Sequence, residues 1–196
     1  MKNDVILAGV GGQGLLTIAA VIGEAALKSG LFIKQAEVHG MAQRGGVVQS
    51  HVRLSDKPIY SDLISEGSAD LILATEPLEA LRYLEYLKAE GMVVTNSVPF
   101  KNVPSYPQDD EITRRIEALP HHLLIDAVAI AKEAGSILCA NMVMLGAGSS
   151  FIGVPEAALR EAIAQVFSSK QAKIVETNLK GFDLGRHAAM NASGVN

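Results

Sequence analysis

Short apolar runs alternate along the chain with longer segments in which apolar residues recur every three or four positions. The short runs are typical of buried parallel strands, and the longer segments are typical of helices that face a core. The pattern predicts strands at 4–8, 31–38, 45–54, 71–74, 92–95 and 122–125. It predicts helices at 15–28, 77–87, 111–119, 127–134, 141–147, 155–168 and 171–189.

This alternation predicts a Rossmann-like α/β domain of three layers, α/β/α, with a mostly parallel sheet in the middle. The strand at 4–8, the helix at 15–28 and the strand at 31–38 form a predicted βαβ unit. We expect a single domain at 1–189, followed by a frayed tail at 190–196 because that stretch is small and polar. Three prolines in 96–110 predict a segment that is mostly loop.

Composition narrows the classes of function that fit. The 196 residues include 17 basic and 21 acidic side chains and only 5% aromatics, without a long basic run, so nucleic-acid binding is not expected. No apolar run approaches the roughly 20 residues that cross a bilayer, and residues 1–4 lead directly into a strand. We therefore expect a cytoplasmic protein that binds no membrane.

The single cysteine, Cys139, limits the metal chemistry of this chain. An iron–sulfur cluster normally takes four cysteine ligands, and structural zinc takes several Cys or His. We therefore expect Cys139 to be a small buried residue, and we expect no metal site.

A glycine turn follows the first predicted strand. Gly9, Gly11 and Gly14 satisfy G-x-G-x-x-G between a strand and a helix, where free N–H groups at the helix start favour an anion. One interpretation is a dinucleotide-binding domain for NAD or FAD, in which Glu37 binds the ribose. The bulk of Gln13 and the polar segment after Glu37 weaken the interpretation as an NAD or FAD site. A turn that only packs helix on strand is the other alternative.

The segment 37–46 is the most distinctive in the chain and reads Glu-Val-His-Gly-Met-Ala-Gln-Arg-Gly-Gly. Arg44 offers a planar fork of donors suited to phosphate or carboxylate, and His39 could donate to an anion or cap the turn. Each side chain taken alone suits a structural role at least as well as a functional one. Together, on a loop predicted to emerge beside the glycine turn, they favour a binding site.

These two motifs resemble the gamma domain of the pyruvate/2-oxoacid:ferredoxin oxidoreductases over almost the whole chain. The sequence of residues 37–46 most resembles the branch of this family that acts on aryl 2-oxoacids such as indolepyruvate. The resemblance implies a complex that decarboxylates a 2-oxoacid on thiamine diphosphate, passes electrons through iron–sulfur clusters to ferredoxin, and forms an acyl-coenzyme A. A larger alpha subunit would carry the thiamine diphosphate and the clusters, and this chain would bind no cofactor alone.

The resemblance also implies roles for individual residues, none of them as a general acid or base. Contact with the phosphates of coenzyme A, or formation of the turn, is implied for Gly9, Gly11, Gly12, Gln13, Gly14 and Arg44. Orientation of the ligand, or contact with the alpha subunit, is implied for Glu37, His39, Gly40, Met41, Gln43, Gly45, Gly46 and Asn141. The alternatives are a gamma subunit for pyruvate or another 2-oxoacid, a stand-alone NAD(P)-dependent dehydrogenase, and a nucleotide-sensing or scaffold domain.

Overall fold

The computed structural model describes residues 1–39, 45–101 and 105–192. Within them the strands are β1 (Lys2–Val10), β2 (Phe32–His39), β3 (Val47–Ser55), β4 (Ala69–Ala74), β5 (Leu87–Asn96) and β6 (His122–Ile125). The helices are α1 (Leu15–Lys28), α2 (Pro77–Arg82), α3 (Asp109–Glu117), α4 (Ala127–Ala134), α5 (Ala140–Gly148), α6 (Glu156–Val166) and α7 (Ala172–Ala192).

The six strands form one sheet in the order β2-β3-β1-β4-β5-β6. β1, β4, β5 and β6 pair in parallel, whereas β3 pairs antiparallel with both β1 and β2. β2 therefore runs in the same direction as β1, and β3 alone is reversed. The predicted mostly parallel sheet is confirmed. The predicted βαβ unit has the right elements, but its two strands are not neighbours because β3 lies between them.

Helices cover both faces of the sheet, which confirms the predicted three layers. Val5 and Leu7 of β1 face α1, α4, α5, α6 and α7 across the larger core. Ile6 and Ala8 point to the other face, where they meet Ala80 of α2, and α3 packs beside α2. This alternation along β1 is the two-residue period of a strand that is buried on both sides.

Most predicted boundaries differ from the observed ones by a few residues, and three helix boundaries are instructive. The helix predicted at 77–87 ends at Arg82, since Leu87 pairs with Ala69 and extends β5. The helix predicted from Pro155 begins one residue later, with Pro155 as its N-cap. α7 continues to Ala192, so residues 190–192, predicted to belong to a frayed tail, are helical.

The helix pair α5–α7 packs with almost no space between the two backbones. A Cβ on Gly146 would lie 2.0 Å from the Phe182 carbonyl oxygen, and one on Gly185 would lie 2.0 Å from the Val143 oxygen. Cys139 is buried at the start of the same pair, as predicted, against Gly181. Burial raises the pKa of its thiol, which suits a packing residue. No helix in the described part of the chain is long and apolar enough to cross a membrane.

Gly185→Ala should destabilise the protein strongly, because its new methyl group would overlap a main-chain oxygen that cannot rotate away. We expect a loss of about 2–4 kcal/mol in the free energy of unfolding, measured by urea denaturation. Gly23→Ala is the matched control. It also places alanine inside a helix, but its Cβ meets only the flexible end of Ile33 at 3.3 Å. Equal losses in both variants would contradict the close-packing argument.

Candidate functional site

The chain passes from β1 to α1 through residues 11–14, which form the predicted glycine turn. The Gln13 N–H donates to the Val10 oxygen at 3.1 Å and closes the turn. The φ angle is +100° at Gly12 and +79° at Gly14, in the left-handed region that favours glycine. Gly12 is exposed, and a side chain there would meet open space. The turn therefore presents bare backbone to any ligand that approaches the carboxyl ends of the parallel strands.

The start of α1 leaves backbone donors available at this turn. No side chain caps the helix, whose N-cap is Gly14. Among the described residues, no acceptor takes the N–H groups of Gly12 and Gly14. Unpaired N–H groups at a helix start, together with the helix dipole, favour a negatively charged group. The geometry agrees with the predicted anion site.

Two contacts show why the first and last positions of the motif are glycine. A Cβ on Gly9 would lie 2.1 Å from Thr75 Oγ1, and one on Gly14 would lie 2.5 Å from Asn141 Nδ2. Thr75 directly follows β4, and Asn141 lies in the first turn of α5. The glycine turn is therefore held between the end of β4 and the start of α5, at separations that leave no room for a side chain.

The side chain of Gln13 folds back into the turn. Its Oε1 accepts hydrogen bonds from the Val10 N–H at 2.8 Å and from Thr75 Oγ1 at 2.8 Å. Its Nε2 lies 3.5 Å from the Thr75 carbonyl oxygen. The bulk of Gln13, unusual for a dinucleotide turn, is thus used to close the turn, and Nε2 is the only polar atom of the side chain left for a ligand.

The second motif meets the first through the main chain. The Gly11 N–H donates to the Gly46 oxygen at 2.8 Å, and the Gly45 N–H donates to the Gly11 oxygen at 3.3 Å. The structure thereby brings Gly45 and Gly46 beside the glycine turn. His39 ends β2 opposite Val48 of β3. The predicted site residues Gly40, Met41, Gln43 and Arg44 lie outside the described residues.

Glu37 lies near the end of β2, opposite Ser50 of β3. Its Oε2 is buried, and no residue that the structure describes gives it a hydrogen bond. In a dinucleotide-binding domain, the strand that carries the ribose-binding acid is the neighbour of the first strand. Here β3 separates β2 from β1, so Glu37 is one strand further from the glycine turn. This separation counts against the NAD or FAD interpretation on geometric grounds.

Asn141 supports the turn from the side of α5. Its Nδ2 donates to the Gly14 oxygen at 3.3 Å, and the Met142 N–H donates to its Oδ1 at 3.0 Å. The side chain is buried. Asn141 is predicted to orient a ligand or meet a partner subunit, and these hydrogen bonds show that it also supports the backbone of the glycine turn.

Sequence reasoning missed three buried polar residues at this edge of the sheet, namely Thr75, Glu76 and Asn96. Asn96 Nδ2 donates to the Thr75 carbonyl oxygen at 3.4 Å, and Asn96 Oδ1 accepts from the Ala127 N–H at 3.1 Å. These bonds join the ends of β4 and β5 to the start of α4. A signal was present, because all three residues directly follow apolar runs predicted as strands, and the carboxyl ends of parallel strands meet at one edge.

Glu76 anchors the connection that follows β5. Its carboxylate caps α2 by accepting from the Glu79 N–H at 2.9 Å, and it also accepts from the Phe100 N–H at 3.2 Å and from the Tyr106 hydroxyl. Burial and this hydrogen bond raise the pKa of Tyr106, so its hydroxyl stays protonated and remains a donor. The carboxylate is therefore occupied by structural contacts.

A cavity of about 280 Å³ opens at the opposite edge of the sheet, near the start of β1. Its one carboxylate is already paired, since Asp4 accepts from Arg53 at 2.8 Å and from Lys2 at 2.8 Å. It lies away from both glycine motifs. The glycine turn, with the segment that enters β3, remains the candidate site.

The sequence of this chain is similar to a known protein family and to individual members of it. The model of the pyruvate ferredoxin/flavodoxin oxidoreductase family matches residues 4–188. An indolepyruvate oxidoreductase subunit, IorB, from Pyrococcus horikoshii is 43% identical to this chain over 96% of the chain and 96% of its own length.

Two solved structures share the fold. The gamma subunit of a keto/oxoacid ferredoxin oxidoreductase from Geobacter sulfurreducens superimposes with a TM-score of 0.72 at 28% identity, covering 97% of this chain and 99% of that one. The 2-oxoglutarate:ferredoxin oxidoreductase from Magnetococcus marinus, solved with 2-oxoglutarate, coenzyme A and succinyl-CoA, gives 0.77 at 23% identity. That likeness covers 97% of this chain and 31% of the other, and shows the fold alone.

Glu76→Gln should loosen the connection after β5, because an amide has one acceptor oxygen for the three donors that now meet the carboxylate. We expect a stability loss of about 1–3 kcal/mol and faster hydrogen exchange at the Phe100 amide, followed by NMR. Glu90→Gln, at an exposed position on β5, is the control. Unchanged exchange at Phe100 would show that Glu76 does not anchor this connection.

Proposed function

Because this chain belongs to the pyruvate ferredoxin/flavodoxin oxidoreductase family, we propose that it is the beta, or gamma-type, subunit of an indolepyruvate:ferredoxin oxidoreductase. The complex would convert an aryl 2-oxoacid and coenzyme A to an acyl-coenzyme A and carbon dioxide, with two electrons passed to ferredoxin. We place it in the cytoplasm as part of the same proposal. The choice of indolepyruvate rests on the 43% identity to IorB over nearly the full length of both chains.

The observation that carries the proposal is the hydrogen-bonded contact between the two glycine motifs at Gly11. It joins an anion-ready turn to the segment 37–46, so that both motifs act on one ligand. Coenzyme A fits this site because its phosphates suit the free N–H groups of Gly12 and Gly14. The Nε2 donor of Gln13 adds a further contact, and we assign Arg44 to the same phosphates through its guanidinium fork.

The redox and decarboxylation chemistry belongs to the alpha subunit in this proposal. Thiamine diphosphate would supply the group that accepts the carbanion, and iron–sulfur clusters would carry the electrons. The residues of this chain do not suit a cluster, since the sequence has one cysteine and that thiol donates to the Ser136 carbonyl oxygen at 3.0 Å. Among the described residues, no group of three His, Cys, Asp or Glu is placed to hold a metal ion.

The remaining residues of the second motif, together with Asn141 of α5, would orient the ligand or meet the alpha subunit. The residues assigned to this role are Glu37, His39, Gly40, Met41, Gln43, Gly45, Gly46 and Asn141. Glu37 supports this assignment, since its Oε2 is buried without a partner among the described residues. An unpaired buried carboxylate oxygen costs free energy, and a donor from a ligand or from the other subunit would remove that cost.

Gly12→Val tests the coenzyme A site in the reconstituted complex with the alpha subunit. The substitution strains a backbone at φ +100° and fills the space in front of the free N–H groups. We expect the KM for coenzyme A to rise about tenfold or more, since charge-assisted hydrogen bonds are lost. The assay is reduction of ferredoxin or a viologen dye with indolepyruvate as substrate, and Arg44→Ala should act in the same direction.

Gly30→Val is the matched control for strain. Gly30 also has a positive φ, +72°, and open space around a Cβ, but it lies beyond the other end of α1. It should lower stability without raising the KM for coenzyme A. If the complex forms and neither Gly12→Val nor Arg44→Ala changes its dependence on coenzyme A, the site is wrong. Micromolar affinity of the isolated chain for NAD(H), measured by calorimetry, would contradict the subunit role itself.

A further inference from the structure

Thr75 is a buried residue that contacts the glycine turn and that has no role in the function proposed above. We propose that Thr75 is a positioning residue for the ligand site, because its hydroxyl fixes the amide of Gln13 so that the turn presents a donor, Nε2, to the anion. This inference rests on the proposed function, since it takes the anion to be coenzyme A. Thr75 makes no contact with the ligand in this arrangement.

The orientation of the Gln13 amide follows from the donors that surround it. The Val10 N–H can only donate, so the amide atom 2.8 Å away must be the oxygen. The Thr75 hydroxyl has one hydrogen and faces the same oxygen at 2.8 Å, whereas its other acceptor, the Ala8 carbonyl oxygen, is 3.5 Å away. The hydroxyl therefore donates to Gln13, and both acceptor positions of Oε1 are filled.

The nitrogen of the same amide is left with little to bind inside the chain. Nε2 lies 3.5 Å from the Thr75 carbonyl oxygen, a long contact, and no other acceptor among the described residues bonds it. At least one of its two N–H groups is therefore available to a ligand. The reversed amide would direct an oxygen to that place, and an oxygen beside a phosphate is repelled.

Thr75 is itself held in a single position. Its N–H donates to the Ala8 oxygen at 2.9 Å, its carbonyl oxygen accepts from Asn96 at 3.4 Å, and its side chain is 5% exposed. A β-branched side chain has few rotamers. The absence of a Cβ at Gly9 leaves the space that its hydroxyl occupies. A rigid group of this kind can set the orientation of a more mobile one.

The test uses the complex with the alpha subunit and the variant Thr75→Val, which keeps the shape of the side chain and removes the hydroxyl. We expect the KM for coenzyme A to rise about three- to tenfold, the usual effect of one lost hydrogen bond. The kcat and the KM for the 2-oxoacid should stay within about twofold of wild type. Thr75→Ser, which restores the hydroxyl, should return the KM for coenzyme A toward the wild-type value.

Two further variants separate positioning from a general loss of structure. Thr95→Val removes another fully buried threonine hydroxyl, one strand away, which donates only to the Asn96 carbonyl oxygen at 3.3 Å. It should leave the KM for coenzyme A unchanged. In a Gln13→Ala background, Thr75→Val should add no further increase, because the hydroxyl then has no amide to orient.

Three results would overturn the inference. The first is an unchanged KM for coenzyme A in Thr75→Val while Gly12→Val raises it, which leaves the proposed function intact. The second is an equal rise of the KM for coenzyme A when Thr75→Val is made in wild type and in Gln13→Ala. That result would show that Thr75 does not act through the Gln13 amide. The third is an equal rise of the KM for coenzyme A in Thr75→Val and Thr95→Val, which would show that Thr75 has a structural role only. If Gly12→Val also has no effect, the proposed site fails and this inference fails with it.

Discussion

The approach of β4 and α5 to the glycine turn is the contact on which the candidate site depends. Thr75 and Asn141 reach the turn from opposite sides, and each occupies the place that a Cβ on Gly9 or Gly14 would take. The turn is therefore fixed by packing and by hydrogen bonds from neighbouring elements, with little left to the flexibility of its glycines. This fixation matters because backbone donors bind an anion well only when they are held in place before the ligand arrives.

The reversed strand β3 changes which segments of the chain lie beside the glycine motif. In a dinucleotide domain the second strand lies beside the first and carries the acid that binds the ribose. Here β3 takes that place, and the chain that enters it bonds to Gly11 through Gly45 and Gly46. Because β3 and not β2 lies next to β1, Glu37 is further from β1 and a second glycine-rich segment lies beside the turn. Gly45 and Gly46 thus lie beside the turn, on the side where a dinucleotide domain has its second strand.

Much of the fold was predictable because local patterns agreed with tertiary structure. α1, β6 and α4 have the predicted bounds, since caps and breakers such as Gly30 and Gly135 mark their ends. The position of β3 was not predictable, because an apolar strand does not reveal its neighbours. The glycines of the turn could be named from spacing alone. The supporting contacts of Thr75 and Asn96 depend on strands brought together from distant parts of the sequence, although their positions after apolar runs were a usable signal.

Several described polar side chains at this edge are occupied by contacts within the chain, and this bears on what the subunit can contribute. Glu76 binds three donors, Asn141 supports Gly14, and the oxygen of Gln13 is held in the turn. In the glycine turn itself, what remains free among the described groups is a set of uncharged donors, the backbone N–H groups and one amide nitrogen. Such donors do not titrate near neutral pH, so they suit binding and orientation and cannot act as general acids or bases. The described groups of the turn therefore suit the proposed role, in which the subunit positions coenzyme A beside chemistry carried out by its partner.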